Sequence, residues 1–138
     1  MAYRTNDDTA SSLVPEAPGH EHRNDAGTLT TPVTTLDALL RAGKLDPRGI
    51  ALVKVDVEGE EARTVVGMRE TLVAADYPSI WCEVRGPEGS SRAPNTYVAV
   101  RDRLKPLGYK PYWWSKAGTR PVFDNEVVKR CDVLFERH

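Results

Sequence analysis

Carboxylates are the side chains of this sequence best placed to do chemistry. The run Lys54-Val55-Asp56-Val57-Glu58-Gly59-Glu60-Glu61 puts acidic residues at the end of an apolar stretch, and Glu83 closes a second such stretch. A carboxylate can take a proton from a substrate hydroxyl, or offer oxygen to a hard cation. Residue type leaves both uses open, and no residue is assigned as a metal ligand. Glu60 and Glu61 have a simpler reading. They fall at a helix start, where the macrodipole and free N–H groups favour negative charge. Asp56 differs because it ends a strand, and in open α/β sheets ligands gather beyond the carboxyl ends of strands. Glu83 alternates with Trp81 and Arg85 on one strand face, so an ion pair with a nearby cation is its structural alternative. Gly59 suits the tight strand-to-helix turn.

Other candidates carry less. His20-Glu21-His22 has a spacing that metals sometimes use, but no Cys or third His stands nearby to complete a ligand set. In Tyr112-Trp113-Trp114 alternate side chains face opposite sides, so at least one ring belongs to the core. The others can stack on a sugar, which makes a sugar-binding module a competing function. Cys82 reads as inert packing, and no base stands beside Cys131 to make it a nucleophile. The sequence has no G-x-G-x-x-G fingerprint, no P-loop and no G-x-S-x-G elbow.

The elements that position these residues follow from periodicity. Residues 1–33, rich in Pro, Gly, Ser and Thr, read as a loop-rich segment with a short hairpin, in which Ser11 to Val14 is the strand candidate. The ordered part is 34–138. Thr34-Thr35-Leu36-Asp37 resembles a capping box ahead of a helix that Gly43 ends. Ile50 to Val57 is a strand, apolar enough to be covered on both faces. Residues 60 to 75 form a helix, Ser79 to Arg85 a strand, and Asn95 caps a helix through Tyr97, Val100, Leu104 and Leu107. Tyr109 to Trp114 and Asp132 to Glu136 are the last strands, joined by a polar loop. This alternation predicts an α/β fold: a mostly parallel sheet with helices on both faces and a last pair added antiparallel at the edge.

Composition bounds the function. The chain has 138 residues, with 19 basic and 20 acidic side chains and a formal charge of −1. Without a basic excess, nucleic acid is not an expected partner. No apolar run is long enough to span a membrane, and the first residues do not read as a signal peptide. Free cysteines and a cytoplasmic location are expected.

The octamer at 54–61 resembles the K-I/V-D-V/I-E-G-x-E pattern of the FkbM family of S-adenosylmethionine-dependent methyltransferases. Other residues agree in order: Ser11-Ser12-Leu13, Thr35-Leu36-Asp37-Ala38-Leu39-Leu40, Gly67, Pro78 to Glu83, Leu107-Gly108-Tyr109 and Asp132-Val133-Leu134-Phe135. The resemblance spans nearly the whole chain. It implies a partial class I, Rossmann-like methyltransferase fold with an antiparallel last strand. It implies methyl transfer from S-adenosylmethionine, usually to a hydroxyl of a sugar or natural product. It places Asp56, Val57 and Glu58 against the cofactor and makes Asp56, Glu58 and Glu83 the catalytic candidates. The sequence departs from the family at one point. The D-x-G-A-N-x-G cofactor turn and the acidic residue that holds the ribose do not occur. The chain therefore reads as the C-terminal half of the domain, truncated or split. Its expected partners are a small-molecule or glycan acceptor, and either a missing N-terminal half or a second copy. A non-catalytic remnant that pairs with another methyltransferase chain is the alternative.

Overall fold

A computed structural model describes residues 2–4, 28–86, 96–115, 117–123 and 131–138. Its strands are β1 (Ala2–Arg4), β2 (Thr28–Thr30), β3 (Leu52–Val55), β4 (Ser79–Val84), β5 (Lys110–Ser115), β6 (Gly118–Pro121) and β7 (Cys131–Glu136). Its helices are α1 (Leu36–Arg41), α2 (Glu61–Val66), α3 (Arg69–Ala74) and α4 (Thr96–Leu104), the last continued by a 3-10 turn at Lys105–Leu107. β1 pairs antiparallel with β2. The expected strand at Ser11 to Val14, the His20-Glu21-His22 run and the Asn95 cap lie outside the described residues.

The main sheet has the order β3-β4-β7-β5-β6. It corrects the expectation of a mostly parallel sheet, because only β3 and β4 run parallel and the other three pairings are antiparallel. The reason lies in the last strands. The crossover through α4 does carry β5 in the same direction as β4. β7 then inserts between them, antiparallel to both, so neither neighbour of β7 is parallel to it. The antiparallel last strand was expected, but it lies inside the sheet rather than at its edge. The polar loop also contains an unforeseen strand, β6, which pairs with β5 around Gly118 at φ +113°.

Helices on both faces are also not what the described residues show. Val65 of α2, Met68, Leu72 of α3, and Tyr97, Val100 and Leu104 of α4 form one buried cluster with Val55, Ile80, Cys82, Val84, Val133 and Phe135 of the sheet. Ladder register puts Lys54, Trp81, Leu134 and Tyr112 on the opposite face. β3 is the end strand, and Leu52 is 52 % exposed, so this strand is not covered on both sides.

The single helix expected over 60–75 is two. Gly67 caps α2, and a Cβ there would stand 2.9 Å from Thr35 Cγ2. The break lets α1 dock closely. Thr35 caps α1 through its hydroxyl, which accepts from the Ala38 N–H at 3.0 Å. Asp37 N–H donates to the Gly67 carbonyl at 3.0 Å. The buried Asp37 carboxylate accepts from the Thr71 N–H at 2.8 Å and from its hydroxyl at 2.9 Å. The acid of the capping-box pattern therefore ties α1 to α3, rather than closing the box.

Candidate active site

The carboxyl ends of the two parallel strands build the site. Val55 is the last ladder residue of β3 and faces the core. Asp56 follows on the opposite side and is exposed. Val57 turns back to pack against the core, and its carbonyl accepts from Glu60 N–H at 3.3 Å. Glu58 at φ +47° and Gly59 at φ +107° then reverse the chain into α2. Glycine adopts such a φ freely, whereas a glutamate there is disfavoured by its Cβ. The Gly59 N–H donates to Glu61 Oε1 at 2.8 Å, which ties the reversal to the first turn of the helix. Glu61 is only 4 % exposed, and its Oε2 has no hydrogen-bond partner among the described residues.

Asp56, Glu58 and Glu83 meet. One carboxylate oxygen from each lies within 4.8 Å of the others. β4 contributes Glu83 because the parallel register, with Val55 opposite Cys82, carries it past the end of β3. Like charges this close repel, and two cations offset them. Lys54 Nζ lies 2.8 Å from Asp56 Oδ2, and the Arg85 guanidinium pairs with Glu58. The hydrogen bond to Asp56 holds the Lys54 amine above its ordinary pKa, and the charges of Asp56, Asp132 and Glu83 add to the effect. Asp132 reaches this end as the cross-strand partner of Glu83. The cluster can accept protons, bind hydroxyl or ammonium donors, or give one oxygen each to a hard cation.

The three residues expected to be catalytic, Asp56, Glu58 and Glu83, thus come together, and Val57, expected against the cofactor, lies at the turn between two of them, partly buried against the core. Lys54 and Arg85 were missed as site residues. Lys54 is readable after the fact, two residues from Asp56 on the same strand face. Arg85 is separated by 27 residues from Glu58, and no local pattern links them. The remaining candidates divide as follows. Trp113 packs against the core, while Trp114 is 51 % exposed with its ring 5.3 Å from that of Trp81 on the open face. Burial pushes the Cys82 thiol well up, and the Cys131 thiol up to about 11, which disfavours the thiolate at both positions. Both cysteines are free. No helix among the described residues is long and apolar enough to cross a membrane.

Asp56 is exposed, and Glu58 and Glu83 are half-buried. One cleft of about 320 Å³ lies nearby, between α1 and α2, and takes Glu60, Arg63 and Thr35 into its wall but none of the three clustered acids. A second, of about 580 Å³, lies at the far end of the sheet.

No curated protein and no solved structure matches the chain. The profile of the methyltransferase FkbM domain matches residues 2–111, a span that includes β3, the Gly59 turn and Glu83. With the match covering most of its length and the carboxylate cluster inside it, this chain belongs to the FkbM methyltransferase domain family.

Proposed function

We propose that this chain carries the carboxylate side of an S-adenosylmethionine-dependent O-methyltransferase site, acting on a hydroxyl of a sugar or other natural product. The supporting observation is the meeting of Asp56, Glu58 and Glu83 beyond the carboxyl ends of β3 and β4. In open α/β sheets that edge is where ligands bind. The donor set suits the cofactor's cationic end, since carboxylates accept hydrogen bonds from ammonium and hydroxyl groups and attract a sulfonium. When bound, S-adenosylmethionine supplies an electrophilic methyl group. Asp56 and Glu58 would hold its charged side, with the Val57 backbone between them. Glu83 orients the acceptor hydroxyl, and Asp56 takes the proton from its oxygen. Lys54 and Arg85 keep the three acids together without neutralising the whole cluster.

Calorimetric titration of the chain with S-adenosylmethionine and S-adenosylhomocysteine tests this reading. One-site saturation, weakened in Asp56→Asn, is expected. A folded chain that binds neither overturns it for the chain by itself.

That second outcome is the one an alternative reading requires, in which the chain is an interaction module that pairs with another methyltransferase segment. The observation in its favour is the outer edge of β3, which has no ladder partner among the described residues. An unpaired edge is a template for strand addition. On this reading, cofactor binding emerges only when a segment carrying the D-x-G-A-N-x-G turn is mixed in. Light scattering then shows a complex of the two.

A further inference from the structure

We propose that Glu61 is a positioning residue of the acidic cluster: its buried carboxylate holds the Glu58–Gly59 peptide in the reversed conformation that delivers Glu58 to Asp56 and Glu83. The inference deepens the proposed methyl-transfer reading and rests on it for its effect on cofactor binding.

The turn is what needs holding. Val57 to Glu60 closes a four-residue turn, in which the Glu60 N–H donates to the Val57 carbonyl at 3.3 Å. Both central residues have positive φ, +47° at Glu58 and +107° at Gly59. Turns of that kind favour Gly, Asn or Asp at their centres. Gly59 conforms, but Glu58 does not, because its Cβ crowds the backbone in the left-handed region. Its side chain is what the position gains. The Glu58 carboxylate comes within 4.8 Å of those of Asp56 and Glu83, and it pairs with the Arg85 guanidinium.

Glu61 supplies the restraint. Its Oε1 accepts from the Gly59 N–H at 2.8 Å. That N–H belongs to the planar peptide group joining Glu58 to Gly59, so one bond restrains ψ of Glu58 and φ of Gly59 together. A carboxylate acceptor makes the bond stronger than a neutral one would be.

The burial of Glu61 separates this role from an ordinary acid at a helix start. The adjacent Glu60 pairs with Arg63 at 3.4 Å. Glu61 turns inward instead and is 4 % exposed. Among the described residues its Oε2 has no hydrogen-bond partner, and no ion pair engages it. Burying a charged group with so few partners costs stability, so stability does not account for its place. Burial first, and then the charges of Glu61, Asp132, Asp56 and Glu83, push the Cys82 thiol up, which sets Glu61 beneath the strand ends that carry the cluster.

Two variants of the full chain test the role. Glu61→Gln keeps an oxygen for the Gly59 N–H, and Glu61→Leu fills similar space without one. The first readout needs no cofactor. It is the exchange protection of the Arg85 guanidinium protons in NMR spectra, which reports whether Glu58 still holds them. Protection is expected in the parent and in Glu61→Gln, and its loss in Glu61→Leu. The second readout is calorimetric titration with S-adenosylmethionine. Glu61→Leu is expected to bind about tenfold more weakly with an unchanged circular dichroism spectrum, and Glu61→Gln within about threefold of the parent. The urea midpoint of Glu61→Gln should not fall, since a buried charge is removed and its hydrogen bond is kept. The proposal is overturned if Arg85 is as protected in Glu61→Leu as in the parent. It is equally overturned if Glu61→Gln loses protection or binding as fully as Glu61→Leu does, because the acceptor oxygen would then not be what matters. A parent that binds no S-adenosylmethionine while Arg85 responds as expected overturns the cofactor reading and leaves the positioning of Glu58 supported.

Discussion

On β3 and β4, consecutive residues serve different ends. Val55, Cys82 and Val84 face the helices and are buried, while Asp56 and Glu83, one position along from them, stand with Glu58 at the strand ends. The buried set touches α2, α3 and α4 in one continuous cluster. The acidic set is held by two cations and by a turn that puts Glu58 in the left-handed region. On the proposed reading, the comparison teaches that stability and chemistry are separable by single positions, because a strand's side chains alternate between faces. Substitutions on the helix-covered face should unfold the chain, and those on the acidic cluster should silence it without unfolding it.

The largest expected separation is at Asp56. Asp56→Asn is expected to lower methyl transfer by about 10²–10⁴-fold, the usual contribution of a positioned acid–base group. The readout is labelled methyl passed from S-adenosylmethionine to an acceptor mixture. The denaturation midpoint of that variant should stay within experimental scatter, since the pair Asp56 makes with Lys54 is exposed. Loss of stability comparable to the loss of activity would break the distinction.

Phe135→Ala is the converse case. Phe135 is fully buried on the helix-covered face, and its truncation is expected to cost about 3–5 kcal/mol in urea unfolding. Asp37→Ala comes next. It strips the buried Thr71 N–H and hydroxyl of their acceptor, and about 1–3 kcal/mol should be lost. Gly67→Ala is smaller, about 1 kcal/mol, the low end of overpacking costs, because the new methyl meets the Thr35 side chain at Cγ2. Combining it with Thr35→Ser keeps the capping hydroxyl and removes that methyl, so stability should return towards the parent. Failure of this rescue would mean that the α1–α2 contact is not what splits the helix.

The smallest effect is a pH dependence at Cys131. Burial raises its folded pKa to about 11 from an ordinary value of 9.0, so the unfolded chain loses this proton first. Any stability linked to it is intact below pH about 9 and declines as pH rises towards 11. Iodoacetamide should therefore label the native chain slowly at pH 9 and the urea-unfolded chain rapidly. Equal rates would place Cys131 outside the protected face.

Much of the site was legible because its parts are local. Asp56, Glu58 and Gly59 fall in one short run, and Glu83 closes the next apolar stretch, so the parallel pairing of adjacent strands sufficed to bring them together. The Arg85–Glu58 pair was not legible, since nothing local specifies which side chain meets which across 27 residues. The helix expected over 60–75 reads continuously by apolar spacing, whereas its interruption falls at a tertiary contact, where Thr35 comes close to Gly67 and the Asp37 N–H takes the Gly67 carbonyl. β6 escaped because a short, fully exposed strand has no apolar alternation to announce it.

Local sequence determined the types of the apolar-patterned elements, the turn at Gly59 and the membership of the acidic run, because propensity and side-chain periodicity act over a few residues. The tertiary structure alone decided the strand order, the mostly antiparallel pairing and the meeting of Arg85 with Glu58. The first two depend on where β7 inserts, between β4 and β5, and strand insertion is a contest among long-range pairings that no local window contains.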